Sequence, residues 1–253
     1  MIARSGLCSR RRAEELIAQG RVSVDGETAH VAQQVDPSSA RVQVDGVALP
    51  VAPDLVHYLV YKPVGVISTA DDPQQRDTVV SMVPTDRRVY PVGRLDADSE
   101  GLLILTNDGA LTALLTHPRY GVTKTYVALV AGSPSDDVLR RLRSGVQLDD
   151  GPAHALAAKV LDTHGDAGLI EIVMGEGRKR EVRRMMEAVG HPVRRLVRTA
   201  IGPLRDADLA AGSWRRLTIH EVRSLYDAAG SAWHDDAAAD DAEATERPED
   251  IAP

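Results

Sequence analysis

A polar turn bracketed by two glycines runs straight into an apolar strand near the middle of the chain, and the rest of the sequence is arranged around that junction. It reads Pro91-Val92-Gly93-Arg94-Leu95-Asp96-Ala97-Asp98-Ser99-Glu100-Gly101-Leu102-Leu103-Ile104-Leu105, then Thr106-Asn107-Asp108-Gly109. Gly93 and Gly101 admit backbone angles that other residues resist. Leu102 to Leu105 form the short continuous apolar run of a buried strand. A loop anchored in this way holds a carboxylate still, and Asp96 lies at its centre.

Two local readings of that loop need no family. Asp96 is a turn aspartate bonding its own backbone, as short acidic side chains commonly do, or Ser99 is the nucleophile of a hydrolase elbow. The elbow fits poorly. Ala97-Asp98-Ser99-Glu100-Gly101 lacks the first glycine, and a strand follows where a helix is required.

At 253 residues the chain is long enough for one large or two modest domains with a sizeable core. Its single cysteine, Cys8, excludes a disulfide framework, and the eight histidines show no close ligand spacing, so no metal site is expected. No apolar run approaches the ~20 residues of a membrane helix and no signal-peptide pattern opens the chain, which points to a soluble cytoplasmic protein without a membrane partner. The net charge of −7 is unevenly placed. His234 to Pro253 hold eight acidic residues and one arginine, so residues 1–233 carry 29 acidic and 29 basic side chains. In a neutral body, local basic clusters decide the partner.

The coarse reading gives an α+β chain. Ser9 caps a helix through Gln19, with Ala13, Leu16 and Ile17 on one face and Gly20 at its end. Asp25-Gly26 and Asp45-Gly46 are hairpin signals between alternating valines. This helix-plus-hairpin module spans residues 1–49. Residues 50–56, with Pro50 and Pro53, read as a linker. His57 to Tyr61 read as a strand, Thr78 to Val83 as a short helix or turn, Ala110 to Leu115 as a helix, and Val122 to Val130 as a strand by its β-branched content. Ser135 caps a helix ending at Gly145, and strands follow around Ala153 to Leu161 and Leu169 to Met174. Val182, Met185, Met186 and Val189 form a core-facing helical stripe ended by Gly190. Val193 to Ile201 return as a strand, and Thr218 to Glu221 form a capping box for the last helix. The large domain spans 57–228, and from 229 to 253 the Ala- and acid-rich tail reads as disordered.

Two basic clusters stand out. Between Arg4 and Arg21 there are five arginines against two glutamates, with Arg10, Arg11 and Arg12 at the helix start, where a phosphate also meets exposed N–H groups. From Glu176 to Arg198 there are eight basic and three acidic residues, including Arg178, Lys179 and Arg184. On residue types alone either is a solvated helix face or a phosphate-binding surface. Only 3% of residues are aromatic and phenylalanine is absent, which disfavours a stacking-rich single-strand binder and favours folded RNA read by shape and backbone.

The central stretch GRLDADSEGLLILTNDG resembles the signature of the RNA pseudouridine synthases of the RsuA/RluB class. The KPVG turn at Lys62, the KTY of Lys124 to Tyr126, and GEGRKREVRRMMEAVGHPVRRL are similar to further motifs of the class. SGLCSRRRAEELIAQGRVSVDGE resembles the alpha-L RNA-binding domain, which usually begins about one helical turn earlier than Met1-Ile2-Ala3-Arg4 allows; the expected start therefore lies upstream of Met1. The resemblance covers about residues 5–227 and implies a mixed, mostly antiparallel sheet with a cleft across its middle. It implies Asp96 as the essential carboxylate, Arg183 beside it, and Tyr126 stacking on the target base. Lys124 shares the strand face of Tyr126 and is expected to meet the phosphate or Asp96. Lys62, Arg94, Arg178, Lys179 and Arg184, with the N-terminal arginines, are expected on the RNA. Arg180-Glu181 stands where the class commonly has histidine-glutamine, a departure that touches RNA contacts rather than chemistry.

The implied reaction moves uracil from its nitrogen to its carbon 5 on the same ribose, with no redox change, so no cofactor is expected. A carboxylate suits the nucleophile, because it can bond a sugar carbon and leave again. It attacks only when ionised, and a guanidinium beside it favours the charge and fixes its direction. Partners implied are ribosomal RNA, more nearly of the large subunit, or a pre-ribosomal particle, met by a monomer. The alternative is a non-catalytic protein that holds ribosomal RNA.

Overall fold

The computed structural model describes residue 2 and residues 8–35, 40–48 and 55–230. The N-terminal module begins with α1 (Arg10–Ala18), whose first turn is closed by the Ser9 hydroxyl accepting from Arg12 N–H at 3.2 Å. It packs Ala13 and Leu16 onto β1 (Val22–Val24), β2 (Glu27–Thr28), β3 (Val42–Val44) and β4 (Val47–Ala48), a sheet of order β2-β1-β3-β4. The expected start of the module upstream of Met1 lies outside the described residues, as do residues 49–54 of the linker. Val56, placed in the linker by the sequence, is already tied to the large domain through Asn107 Oδ1 (2.9 Å) and Thr106 Oγ1 (2.6 Å).

The large domain is organised by β5 (His57–Lys62), β6 (Tyr90–Pro91) and β7 (Glu100–Thr106), followed by α2 (Gly109–Thr116) and β8 (Lys124–Ala131). Then come α3 (Asp136–Ser144), the small hairpin β9 (Val146–Leu148) and β10 (Gly151–Ala153), the long hairpin β11 (Ala157–His164) and β12 (Ala167–Met174), and α4 (Glu181–Ala188). β13 (Val193–Ile201), β14 (Leu204–Arg205), β15 (Trp214–Arg216) and α5 (residues 219–230) complete it. Among the described residues nine strands form one sheet along β11-β12-β8-β13-β7-β5-β15, with β14 on β13 and β6 on β7. All its pairings are antiparallel except β13 with β7.

Alternation along β5 and β7 explains why they are buried on both faces. Leu59, Leu102 and Ile104 enter a core with Leu111, Leu115, Ile201 and Leu225. Tyr58, Val60, Leu103 and Leu105 enter another with Val79, Val83 and Val89. A third core lies where α3 and the Val182, Met185, Met186 stripe of α4 cover β8 and β12.

Three expectations are corrected. The strand expected around Ala153 to Leu161 is two: Ala153 ends β10, and the chain turns where Ala155 N–H bonds Leu142 O and Leu156 N–H bonds Val173 O. Ser135 precedes α3 but makes no capping bond with its side chain. The large domain does not stop at 228, because α5 continues through 230 and Ala229 is fully buried. The Thr218–Glu221 capping box forms, with Thr218 N–H to Glu221 Oε2 at 2.8 Å and Glu221 N–H to Thr218 Oγ1 at 3.2 Å. The rest of the expected tail, 231–253, lies outside the described residues.

Candidate active site

The parallel junction of β7 and β13 places the loop that carries Asp96. Gly101 pairs with Arg198 at φ +111°, and a Cβ there would lie 2.3 Å from Arg198 O, so only glycine allows the two backbones this close. Upstream, bonds fasten almost every residue of the turn. Ser68 Oγ donates to Leu95 O (2.8 Å) and accepts from Leu95 N–H (3.1 Å); Gly65 N–H donates to Ala97 O (2.7 Å) and Ser99 N–H to Asp96 O (3.0 Å). Lys62 Nζ donates to Ser99 O (2.7 Å), Arg183 Nη2 to Asp98 O (2.7 Å) and Arg198 Nη1 to Arg94 O (3.4 Å). The Asx-turn reading of Asp96 is therefore not what holds the loop. Among the described residues no hydrogen bond or ion pair reaches the Asp96 carboxylate itself, although the charges of Lys62 and Arg183 act on it through space.

Asp96 lines a cleft of about 430 Å³ with Arg94, Ser99, Tyr126, Glu176, Lys179 and Arg180 among its walls. Tyr126 comes from the centre of the sheet on β8, the basic residues from the turn before α4, and Asp96 from the turn before β7. Arg183 does not pair directly with Asp96. Its guanidinium lies 3.5 Å from Asp98 Oδ1 and donates to Ser99 Oγ at 3.3 Å, while Arg180 Nη1 takes both oxygens of Asp98 at 3.0 and 2.9 Å. Burial opposes ionisation of Asp98, but the Arg180 hydrogen bond and the two arginine charges outweigh it and hold this carboxyl below its usual range. Ser99 is 1% exposed and followed by strand, and among the described residues no histidine lines the cleft, so a hydrolase elbow has neither its turn nor its base there. Among the described residues no group of three or more His, Cys, Asp or Glu side chains is gathered to hold a metal.

Residues 56–188 match the family model described as RNA pseudouridylate synthase, and residues 1–40 match the S4 domain. The chain belongs to the RNA pseudouridylate synthase family. It is 42% identical over 89% of its length to ribosomal large subunit pseudouridine synthase B of Bacillus subtilis, covering 93% of that protein. It is 43% identical over 91% of its length to an uncharacterized RNA pseudouridine synthase of Mycobacterium leprae, covering 92% of it. A crystal structure of a pseudouridylate synthase superposes with TM-score 0.63 at 26% identity, over 88% of this chain and 96% of that one.

The structure of this synthase separates the expected RNA contacts into three groups. Arg94 and Lys179 are exposed at the cleft, and Arg10 and Arg11 are exposed on the first turn of α1, whereas Arg12 pairs with Glu15 at 2.6 Å. Arg178 and Arg184 are held by acids: Arg178 by Glu176 (3.1 Å), Glu181 (3.0 Å) and Asp150 (3.2 Å), and Arg184 by both oxygens of Asp150 (2.8 and 3.0 Å). Those bonds brace the start of α4 on the β9-β10 hairpin; Arg178 is still part of the cleft wall, whereas Arg184 is not. Lys62, expected near the RNA backbone, is 0% exposed and spends its ammonium on the carbonyls of Pro63 (2.9 Å) and Ser99 (2.7 Å). Burial lowers its pKa to about 8, against the opposing pull of Asp98, Asp96 and Glu100. Lys124 is half-buried on the face of Tyr126, and burial with the neighbouring Arg198 also brings it to about 8. Sequence reasoning missed Asp98 as the partner of Arg180 and Arg183, and Arg198 as a buried support of the loop. A lone Asp in a turn and one Arg in a basic run carry no local mark of either role.

At the Arg180-Glu181 pair the acidic residue has a structural role. Glu181 accepts from Arg178 N–H and Nε, both at 3.0 Å, and burial raises its pKa, with the nearby Glu176 adding to the effect.

Proposed function

We propose that the chain converts one uridine of large-subunit ribosomal RNA to pseudouridine, with the Asp96 carboxylate as nucleophile. One observation carries the reading. The loop around Asp96 is bonded at residue after residue, yet among the described residues the carboxylate lining the cleft is left without a bond of its own. A preorganised anion with free lone pairs in a cleft is what covalent attack on a sugar or base carbon requires. Tyr126 lines the same cleft and supplies an aromatic face for the base and a hydroxyl for proton transfer. In the reaction the Asp96 carboxylate bonds ribose C1′ as the C1′–N1 bond breaks, the detached uracil turns within the cleft, C5 bonds C1′ as the carboxylate leaves, and the C5 proton is lost while N1 gains one. The target base must leave its stack, at a cost of a few kcal/mol that backbone contacts offset. Arg94 and Lys179 at the cleft, with Arg10 and Arg11 on α1, are the cations placed to make them.

The large subunit is favoured by the name of the Bacillus subtilis relative, ribosomal large subunit pseudouridine synthase B. The enzyme acts as a cytoplasmic monomer that needs no cofactor. The test is to map pseudouridine in ribosomal RNA from cells lacking the protein. One large-subunit uridine stays unmodified and is restored by the intact gene; an unchanged pattern in both subunits contradicts the proposal.

A further inference from the structure

Tyr126 on β8 stands directly opposite Arg198 on β13, and Lys124 lies two residues before Tyr126, so the three side chains share one face of the sheet. Arg198 is 4% exposed. Its Nε donates to Leu102 O at 2.7 Å and its Nη1 to Arg94 O at 3.4 Å, while Nη2 is buried with no partner. Among the described residues no carboxylate pairs with it, in contrast to Arg178, Arg183, Arg184, Arg195 and Arg215, each of which has at least one. The Lys124 ammonium likewise has no hydrogen bond or ion pair among the described residues, and the charge of Arg198 acts against its own. Both line a second pocket of about 200 Å³ that shares Arg94, Tyr126, Glu176 and Arg178, among others, with the main cleft. Glu176 is on its wall, but that carboxylate is bonded to Arg178 Nη2 at 3.1 Å.

Two cations half or fully withdrawn from water, side by side and without a counter-charge, are costly unless an anion completes them. Resting on the proposed function, we infer that Lys124 and Arg198, with Arg94 at the rim, form a phosphate subsite that seats a phosphate adjoining the target uridine while its base lies against Tyr126. Arg198 has a second consequence. The guanidinium that offers Nη2 to the phosphate also holds Arg94 O and Leu102 O, on either side of Asp96, so a seated phosphate stiffens the loop that carries the carboxylate. Arg198 is thus a positioning residue toward Asp96 and a binding residue toward the phosphate.

Calorimetric titration of the full chain with uridine, uridine 3′-monophosphate, uridine 5′-monophosphate and inorganic phosphate tests this without turnover. One monophosphate is expected to bind about tenfold more tightly than uridine, with inorganic phosphate competing, because charge-assisted bonds to a phosphate are the strong ones. Which monophosphate is preferred identifies the linkage. In Lys124→Gln the preference falls to within about twofold. Arg198→Lys, checked for folding by circular dichroism, keeps a charge but loses the fork and shows a reduced preference. Equal or undetectable binding of uridine and both monophosphates to the wild type overturns the subsite, as does a preference that survives in Lys124→Gln. A wild type that modifies ribosomal RNA without preferring a monophosphate sinks the subsite alone. One that prefers it yet modifies no RNA sinks only the proposed function.

Discussion

Replacing Gly101 by alanine strikes the junction on which the site is built. The residue sits at φ +111°, and an added Cβ would meet Arg198 O at 2.3 Å, Arg198 N at 2.6 Å and Arg198 C at 2.9 Å. All three are backbone atoms, so no side chain can swing away. Ordinary contact begins near 3.5 Å, so β7 and β13 must part by about 1 Å. The left-handed backbone costs about 1–3 kcal/mol and the overpacking about 1–3 kcal/mol more. A loss of roughly 4 kcal/mol lowers Tm by roughly 10 °C in a domain of this size. Urea unfolding followed by circular dichroism measures it, with Gly177→Ala as control, since a Cβ at Gly177 meets nothing within 4 Å. The control changes stability by less than about 1 kcal/mol. A Gly101→Ala midpoint indistinguishable from the control's would refute the claim that close backbone approach sets this junction.

Asp108 accepts from His57 Nε2 (3.1 Å), Tyr226 Oη (2.7 Å) and the N–H groups of Ala110 and Leu111 (both 3.1 Å), and although burial opposes it these bonds bring its pKa down to about 2. A folded value below the unfolded one means the contribution is full above about pH 4 and disappears as pH falls toward 2; urea titrations across that range should show roughly 2 kcal/mol lost in the wild type and little of that pH dependence in Asp108→Asn. Arg183→Met removes the bonds to Asp98 O and Ser99 Oγ that steady the turn, and kcat/KM for RNA modification in single-turnover assays should fall about 100-fold with RNA affinity little changed. Arg10→Ala with Arg11→Ala should reduce the slope of log affinity against log salt by up to about 2, as filter binding over a salt series would show, if those exposed side chains meet phosphates.

What the sequence reveals here is what its local chemistry decides. The Ser9 cap, the Thr218–Glu221 box, the apolar run of Leu102 to Leu105 and the i, i+2 pairing of Lys124 with Tyr126 are set by neighbours a few residues away, and each is found where spacing puts it. The hairpin β9-β10 is not legible, because strands of three residues, one holding Pro152, show no alternation long enough to read. Lys62 looks like an exposed turn lysine until Ser99 O, 37 residues later, closes over its ammonium. Arg178 and Arg184 look like one basic face until Asp150, 28 and 34 residues back, takes them. Arg198 is one more arginine in a run of them, and only the parallel pairing with β7 makes it a buried support of the loop. That Asp96 lies in a turn before a buried strand is legible; which cations surround that turn is decided by the sheet.

The most direct test of the account is quantitative pseudouridine mapping on large-subunit ribosomal RNA incubated with the wild-type chain or with Asp96→Asn. The account predicts product at one uridine with the wild type and none with Asp96→Asn, while the two bind that RNA within about twofold, since the substitution removes one charge that repels phosphate and no contact that holds the loop. Pseudouridine formed by both proteins at comparable rates would contradict it.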